Sequence, residues 1–139
     1  LFVGGFFCFY YTGDARDLHR VDRWQRQRCI RARVGALAGR VMVARGASIE
    51  REVIVRVTRV HFGIALPVRS ICTLALERRL NPNLAGSGAY RLAATRARYG
   101  LPAYSQHDAL SDALAAGELL LAQLSRMPTD TRLGRLEAL

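Results

Sequence analysis

Apolar residues recur along this chain with two periods, and the periods mark where strands and helices should lie. Val41-Met-Val-Ala44 is a continuous apolar run between Gly39 and Gly46, and such a run fits a strand buried on both faces of an α/β sheet. A second run of strand type starts at Val68, passes Ile71 and Cys72, and leads into Thr73-Leu-Ala-Leu-Glu-Arg-Arg79, which predicts a helix. Asn81-Pro-Asn83 and Gly86-Ser-Gly88 mark a loop. Tyr90 to Tyr99 predicts a short helix, stopped by Gly100 with Pro102 beyond it. Near the end, Leu110, Leu114, Leu120, Leu121 and Leu124 recur close to the 3.6-residue period and predict a helix with a core-facing leucine stripe. Ser105 stands at capping-box spacing from Asp108, so its hydroxyl is the expected N-terminal cap. The tail from Met127 to Leu139 predicts a short irregular or helical extension.

Upstream, Leu18, Val21, Trp24, Ile30, Val34 and Leu37 follow spacings of three and four and predict an amphipathic helix over 15–38, ended by Gly39. Its other face is strongly basic, with Arg20, Arg23, Arg26, Arg28, Arg31 and Arg33. Residues 1–11 are aromatic and β-prone and predict a short strand before the turn signal Thr12-Gly13-Asp14. Those aromatics fit either core packing at a sheet edge or a stacking surface for bases. The stretch from Ala47 to about Phe62 is crowded with β-branched residues, so propensity alone would make it a strand.

The 139 residues suffice for one domain or part of one, and 50% hydrophobic with 23% charged is a globular balance. Composition changes the picture through charge. The net charge is +10, and every basic side chain is Arg, with no Lys anywhere. Exclusive Arg usage fits a GC-rich genome and is not itself functional. The resulting positive field favours polyanions through phosphate contacts and counterion release, set against the plainer reading of a solvated basic surface. Arg23, Arg26 and Arg31 on the long helix and Arg96 and Arg98 before His107 are the candidate phosphate contacts. Cys8, Cys29 and Cys72 are far apart and odd in number, with no Cys-x2-Cys pair, which argues against a zinc site. A reducing cytoplasm is the expected compartment. No apolar run has the length of a membrane span, and the apolar start lacks the basic region of a signal peptide. The chain does not begin with Met, which is consistent with a fragment. His19 and His61 have no recognisable partner and read as ordinary surface or core residues.

The candidate chemistry lies at the mouth of the last long helix. A histidine there, His107, with Asp112 one turn further in, can share one ion-activated water. His107-x4-Asp112, followed by Ala113-Leu-Ala115 and preceded by Arg98-Tyr-Gly-Leu-Pro102, resembles the third motif of the DnaQ-like DEDDh 3′–5′ exonuclease family. This is the family of the proofreading epsilon subunits of bacterial DNA polymerase III. The resemblance implies His107 as general base and Asp112 as a metal ligand. The second motif, Val-Ala-His-Asn-Ala-x-Phe-Asp, is matched more weakly by Val43-Ala-Arg-Gly-Ala-Ser-Ile-Glu50. It implies a helix, not a strand, over Ala47 to Phe62, and it makes Glu50 a second metal ligand, one methylene longer than the usual Asp. Arg45 and Gly46 replace the His-Asn pair. Val68 to Arg79 resembles a stretch that reads Val-x-Asp-Thr-Leu-Ala-Leu-x-Arg, with Cys72 at the Asp; Cys72 itself reads as a small buried residue.

The resemblance spans roughly residues 34–125, and its implications are expectations. The implied fold is α/β, a ribonuclease H-like three-layer arrangement that is incomplete, with 1–14 unassigned, 15–125 the exonuclease-like part and 126–139 a tail. The implied reaction is metal-dependent hydrolysis of nucleic-acid 3′ ends, with two Mg²⁺ or Mn²⁺ ions about 4 Å apart. The implied partners are nucleic acid, DNA ahead of RNA, and a DNA polymerase subunit. The family's first motif, Asp-x-Glu, occurs nowhere in this chain, so the expectation is weak or absent activity. Two other readings stand beside it. One is a non-catalytic nucleic-acid-binding remnant that uses the Arg-rich helix. The other is an interaction protein that docks through its aromatic N-terminus.

Overall fold

The computed structural model describes residues 2, 3, 30–32, 34–106 and 108–138. Helices and strands alternate as far as residue 80 and helices alone follow, giving a mixed α/β chain built on a small parallel sheet. The sheet has three strands in the order β1-β2-β3, where β1 is Phe2–Val3, β2 is Val41–Ala44 and β3 is Arg69–Cys72. Both pairings are parallel, with Val3 opposite Val43 and Val43 opposite Ile71. Helical residues 30–32 and 34–37 (α1) precede β2. The helices that follow are α2 (Ala47–Phe62), α3 (Thr73–Leu80), α4 (Leu92–Arg98), α5 (Ala109–Leu124) and α6 (Leu133–Glu137).

The strand pleat sends alternate side chains to opposite faces, and each face has its own core. Met42 and Ala44 pack with Leu37 of α1 and with Ala47 and Ile54 of α2. Val43 and Ile71 point the other way and pack with Leu76 of α3, Leu120 of α5 and Leu136 of α6. The sheet is therefore covered on both sides, which explains why the continuous apolar run at 41–44 is buried. The extension at the end is helical over Leu133–Glu137, and its Leu136 enters the core.

The β-branched stretch after β2 is the helix α2. Its buried positions Ala47, Ile54 and Thr58 share one face. Glu50 in the first turn and Arg59 and His61 in the last complement the helix dipole. Gly63 adopts φ 72° and donates its N–H to the Arg59 carbonyl, a left-handed stop that a residue with a Cβ adopts only at a cost. Packing and end chemistry thus override strand propensity.

Two expectations for α5 are corrected. The cap is Asp108, whose carboxylate accepts from the Ser111 N–H at 2.8 Å, and Ser105 lies ahead of the helix, exposed. The buried face is Ala113, Ala115, Ala116, Leu119, Leu120 and Gln123. Leu110, Leu114 and Leu121 face outward instead, 56%, 55% and 63% exposed. The alanine-rich face lets the helix sit close to the sheet, which a leucine face does not. Of the long helix expected over 15–38, the described part ends as predicted at Gly39, at φ 69°. The expected strand over 1–11 is described only at Phe2–Val3. Trp24, Cys8 and Cys29 lie outside the described residues.

Candidate functional site

In parallel α/β sheets ligands gather where strands end and the following helices begin. Here β2 ends at Ala44, β3 ends at Cys72, and α2 and α3 both start from that edge. The two strand ends are tied together. The Cys72 thiol donates to the Arg45 carbonyl at 3.3 Å and accepts from the Ala75 N–H at 3.4 Å, capping α3. Cys72 is thus half-buried and structural, with a helix to start.

Asp112 reaches this region from the first turn of α5. Its neighbour is Tyr104, whose phenol is pushed up by burial and by the Asp112 carboxylate, with the Arg96 and Arg45 guanidinium groups opposing. Tyr104 also lies on Arg96, 5.2 Å from guanidinium carbon to ring centre. Arg45 stands at the same edge, donating to the Tyr90 carbonyl and to Thr95 Oγ1. Burial holds its guanidinium below the usual arginine range, while the Glu77 carboxylate works the other way. The residue that interrupts the His-Asn pair of the resemblance is therefore a built-in cation at the sheet edge.

Glu50 is half-buried in the first turn of α2, and burial pushes its carboxyl above the usual range. Its Oε2 is buried without a hydrogen-bond partner among the described residues. A divalent cation needs several oxygen ligands converging on one point. Among the described residues no three His, Cys, Asp or Glu side chains converge. With the Arg45 guanidinium acting on Tyr104, the neighbour of Asp112, the described residues do not fit a two-metal centre. His107 lies outside the described residues.

The two arginines expected to hold phosphate ahead of His107 are turned inward. Arg96 is 2% exposed. It donates to the carbonyls of Ala115 at 2.8 Å and Pro102 at 3.0 Å, and it pairs with Glu118 at 2.7 Å. It thereby fastens the 100–104 loop to α5 and places Tyr104 against Asp112. Arg98 donates to the Ala89 carbonyl at 2.7 Å and to Glu77 at 3.0 Å. Both guanidinium groups satisfy internal acceptors, so neither is available to a backbone phosphate. Arg31 is exposed, while Arg23 and Arg26 lie outside the described residues.

A polar centre beneath the edge escaped the sequence reading. Glu77 is fully buried in α3. Its Oε1 accepts from Asn81 at 2.9 Å and Arg98 at 3.0 Å, and its Oε2 accepts from Tyr99 and Gln123, both at 2.9 Å. Burial raises this carboxyl, but the hydrogen bonds from Gln123, Arg98 and Tyr99 and the Arg98 charge outweigh it, leaving it below the usual carboxylate range. No sequence signal pairs Glu77 with Arg98, Tyr99 and Gln123, because its partners sit on separate elements.

Positive charge remains on the outside. Arg31, Arg40, Arg51, Arg59, Arg78 and Arg79 are exposed, whereas Arg56 and Arg69 are paired with Glu52 and Glu137, both at 2.9 Å. No described helix is long and apolar enough to cross a membrane. Compared with known proteins, the chain matches no protein-family model, no curated protein and no solved structure.

Proposed function

We propose that this chain is an exonuclease-like, ribonuclease H-type domain that binds nucleic acid through its exposed arginines and hydrolyses it weakly or not at all. The observation that carries the reading is the sheet edge. Asp112, the aspartate of the resemblance, sits in the first turn of α5 beside Tyr104. The Arg45 guanidinium also acts on Tyr104, and no three metal-ligating side chains converge among the described residues. The net charge of +10 supports attraction to a polyanion.

The test is fluorescence anisotropy with a labelled single-stranded oligonucleotide, run from about 50 to 200 mM salt. An exonuclease assay in Mg²⁺ or Mn²⁺ accompanies it. The expected result is affinity that falls linearly with salt on logarithmic axes, without release of mononucleotides. Affinity indifferent to salt would sink the nucleic-acid reading. Metal-dependent release of mononucleotides, lost in both His107→Ala and Asp112→Ala, would restore a working enzyme.

A further inference from the structure

We propose that the surface shared by the last turn of α3, the two ends of α4 and the residues just past α5 takes a single-stranded nucleic acid, its bases stacked on two arginine–tyrosine pairs. The proposal rests on the nucleic-acid reading above and gives it a place. The guanidinium of Arg78, in the last turn of α3, lies over the Tyr90 ring, 5.8 Å from its centre. That of Arg126, just past α5, lies over the Tyr99 ring at 4.0 Å. The two pairs belong to one surface, because both phenols are fastened to the end of the same helix. Tyr90 Oη donates to the Asn81 carbonyl at 2.7 Å, and Tyr99 Oη donates to Glu77 Oε2 at 2.9 Å. The Asn81 side chain closes the link by donating to Glu77 Oε1 at 2.9 Å. Arg98 joins the pairs from behind: its Nη1 donates to the Ala89 carbonyl, next to Tyr90, at 2.7 Å, and its own carbonyl accepts from Arg126 at 3.3 Å.

The charge on this surface has one sign. Glu77 is the only Asp or Glu between Glu52 and Asp108, and it is fully buried with its oxygens satisfied. Arg78, Arg79, Arg91 and Arg126 are exposed, and among the described residues none of them pairs with a carboxylate. A basic patch alone attracts any polyanion; the flat guanidinium–ring pairs narrow the choice. Stacking orders a planar cation at small entropic cost, keeps its edge N–H groups for phosphate, and turns its outer plane to a base. Duplex bases are already stacked on each other, so such a platform selects a single strand. The surface lies on one side of the sheet. α3 and α5 cover the face of Val43 and Ile71, whereas α2 covers the face of Met42 and Ala44. The exposed arginines of α2, Arg51 and Arg59, are therefore controls of equal charge on the opposite side.

The test is fluorescence anisotropy of the full chain with a labelled oligothymidine and with an abasic strand of the same length and charge, from about 50 to 200 mM salt. The expected result for wild type is at least about fivefold tighter binding of the oligothymidine, the low end of what one stacked base contributes. Arg78→Gln and Arg126→Gln should each lower the salt slope by about 0.7, one phosphate contact on a single strand, while Arg51→Gln and Arg59→Gln leave it unchanged. Arg126→Lys should keep the slope and lose part of the preference for bases, because an ammonium has charge without a plane. All four arginines are exposed, so the melting transition of each variant stays in place. Wild type without salt-dependent binding overturns both the nucleic-acid reading and this site. Slope and base preference that survive in the Arg78→Gln/Arg126→Gln double variant overturn the site and leave the nucleic-acid reading standing. Equal affinity of wild type for the two strands does the same.

Discussion

Replacing Glu77 by Ala removes the acceptor at the centre of the buried network. Four donors then lose their partner at once: Asn81, Arg98, Tyr99 and Gln123. Summed singly, one charge-assisted pair and three further bonds to a carboxylate would exceed about 6 kcal/mol. Such deletions do not add, and breaking a buried pair by removing one partner costs about 3–5 kcal/mol. The Arg98 charge, which opposes that of Arg45, also loses the Glu77 carboxylate that offsets it. Against a typical domain stability of about 5–15 kcal/mol, the loss is about a fifth or more. Urea denaturation followed by circular dichroism measures it. The same carboxyl is held below its usual range in the folded state. Its contribution is therefore complete above the unfolded carboxylate value and is lost as pH falls through the lower folded value. Glu77→Gln should flatten the fall in stability below about pH 4, near the unfolded glutamate value. A Glu77→Ala loss under about 1 kcal/mol, or an unchanged acid profile in Glu77→Gln, would refute the argument.

Two more predictions test the corrected residues. Asp108→Ala should lower the urea midpoint by uncapping α5, while Ser105→Ala changes it little; the reverse ranking would return the cap to Ser105. Arg96→Gln should lower stability by about 1–3 kcal/mol, since the Ala115 and Pro102 carbonyls lose a charged donor while Glu118 stays solvated, yet leave the salt slope of nucleic-acid binding unchanged, since the guanidinium bonds the protein interior. Arg31→Gln, Arg51→Gln or Arg59→Gln should each leave stability within about 0.5 kcal/mol, and those that contact phosphate should reduce the slope by about one ion.

The order of elements was legible in the residues because its signals are local. The apolar run at 41–44, the strand-to-helix run after Val68 and the glycine stops at Gly39 and Gly100 act within a few residues. Identifying α2 as a helix needed more than propensity, since its β-branched residues favour the wrong state until packing on Met42 and Ala44 is counted. What only the tertiary structure decided is which side of each element faces inward. α5 is apolar nearly all round, so periodicity offers two faces. The sheet selects the alanine-rich one, because small side chains permit close approach, and leaves three leucines outside. Charge is the same problem in reverse. Arg96, Arg98 and Glu77 look like surface residues in a linear reading, because the partners that make their burial tolerable lie far away in sequence. Burial of a charge is settled by what stands opposite it, and only the folded chain brings those groups together.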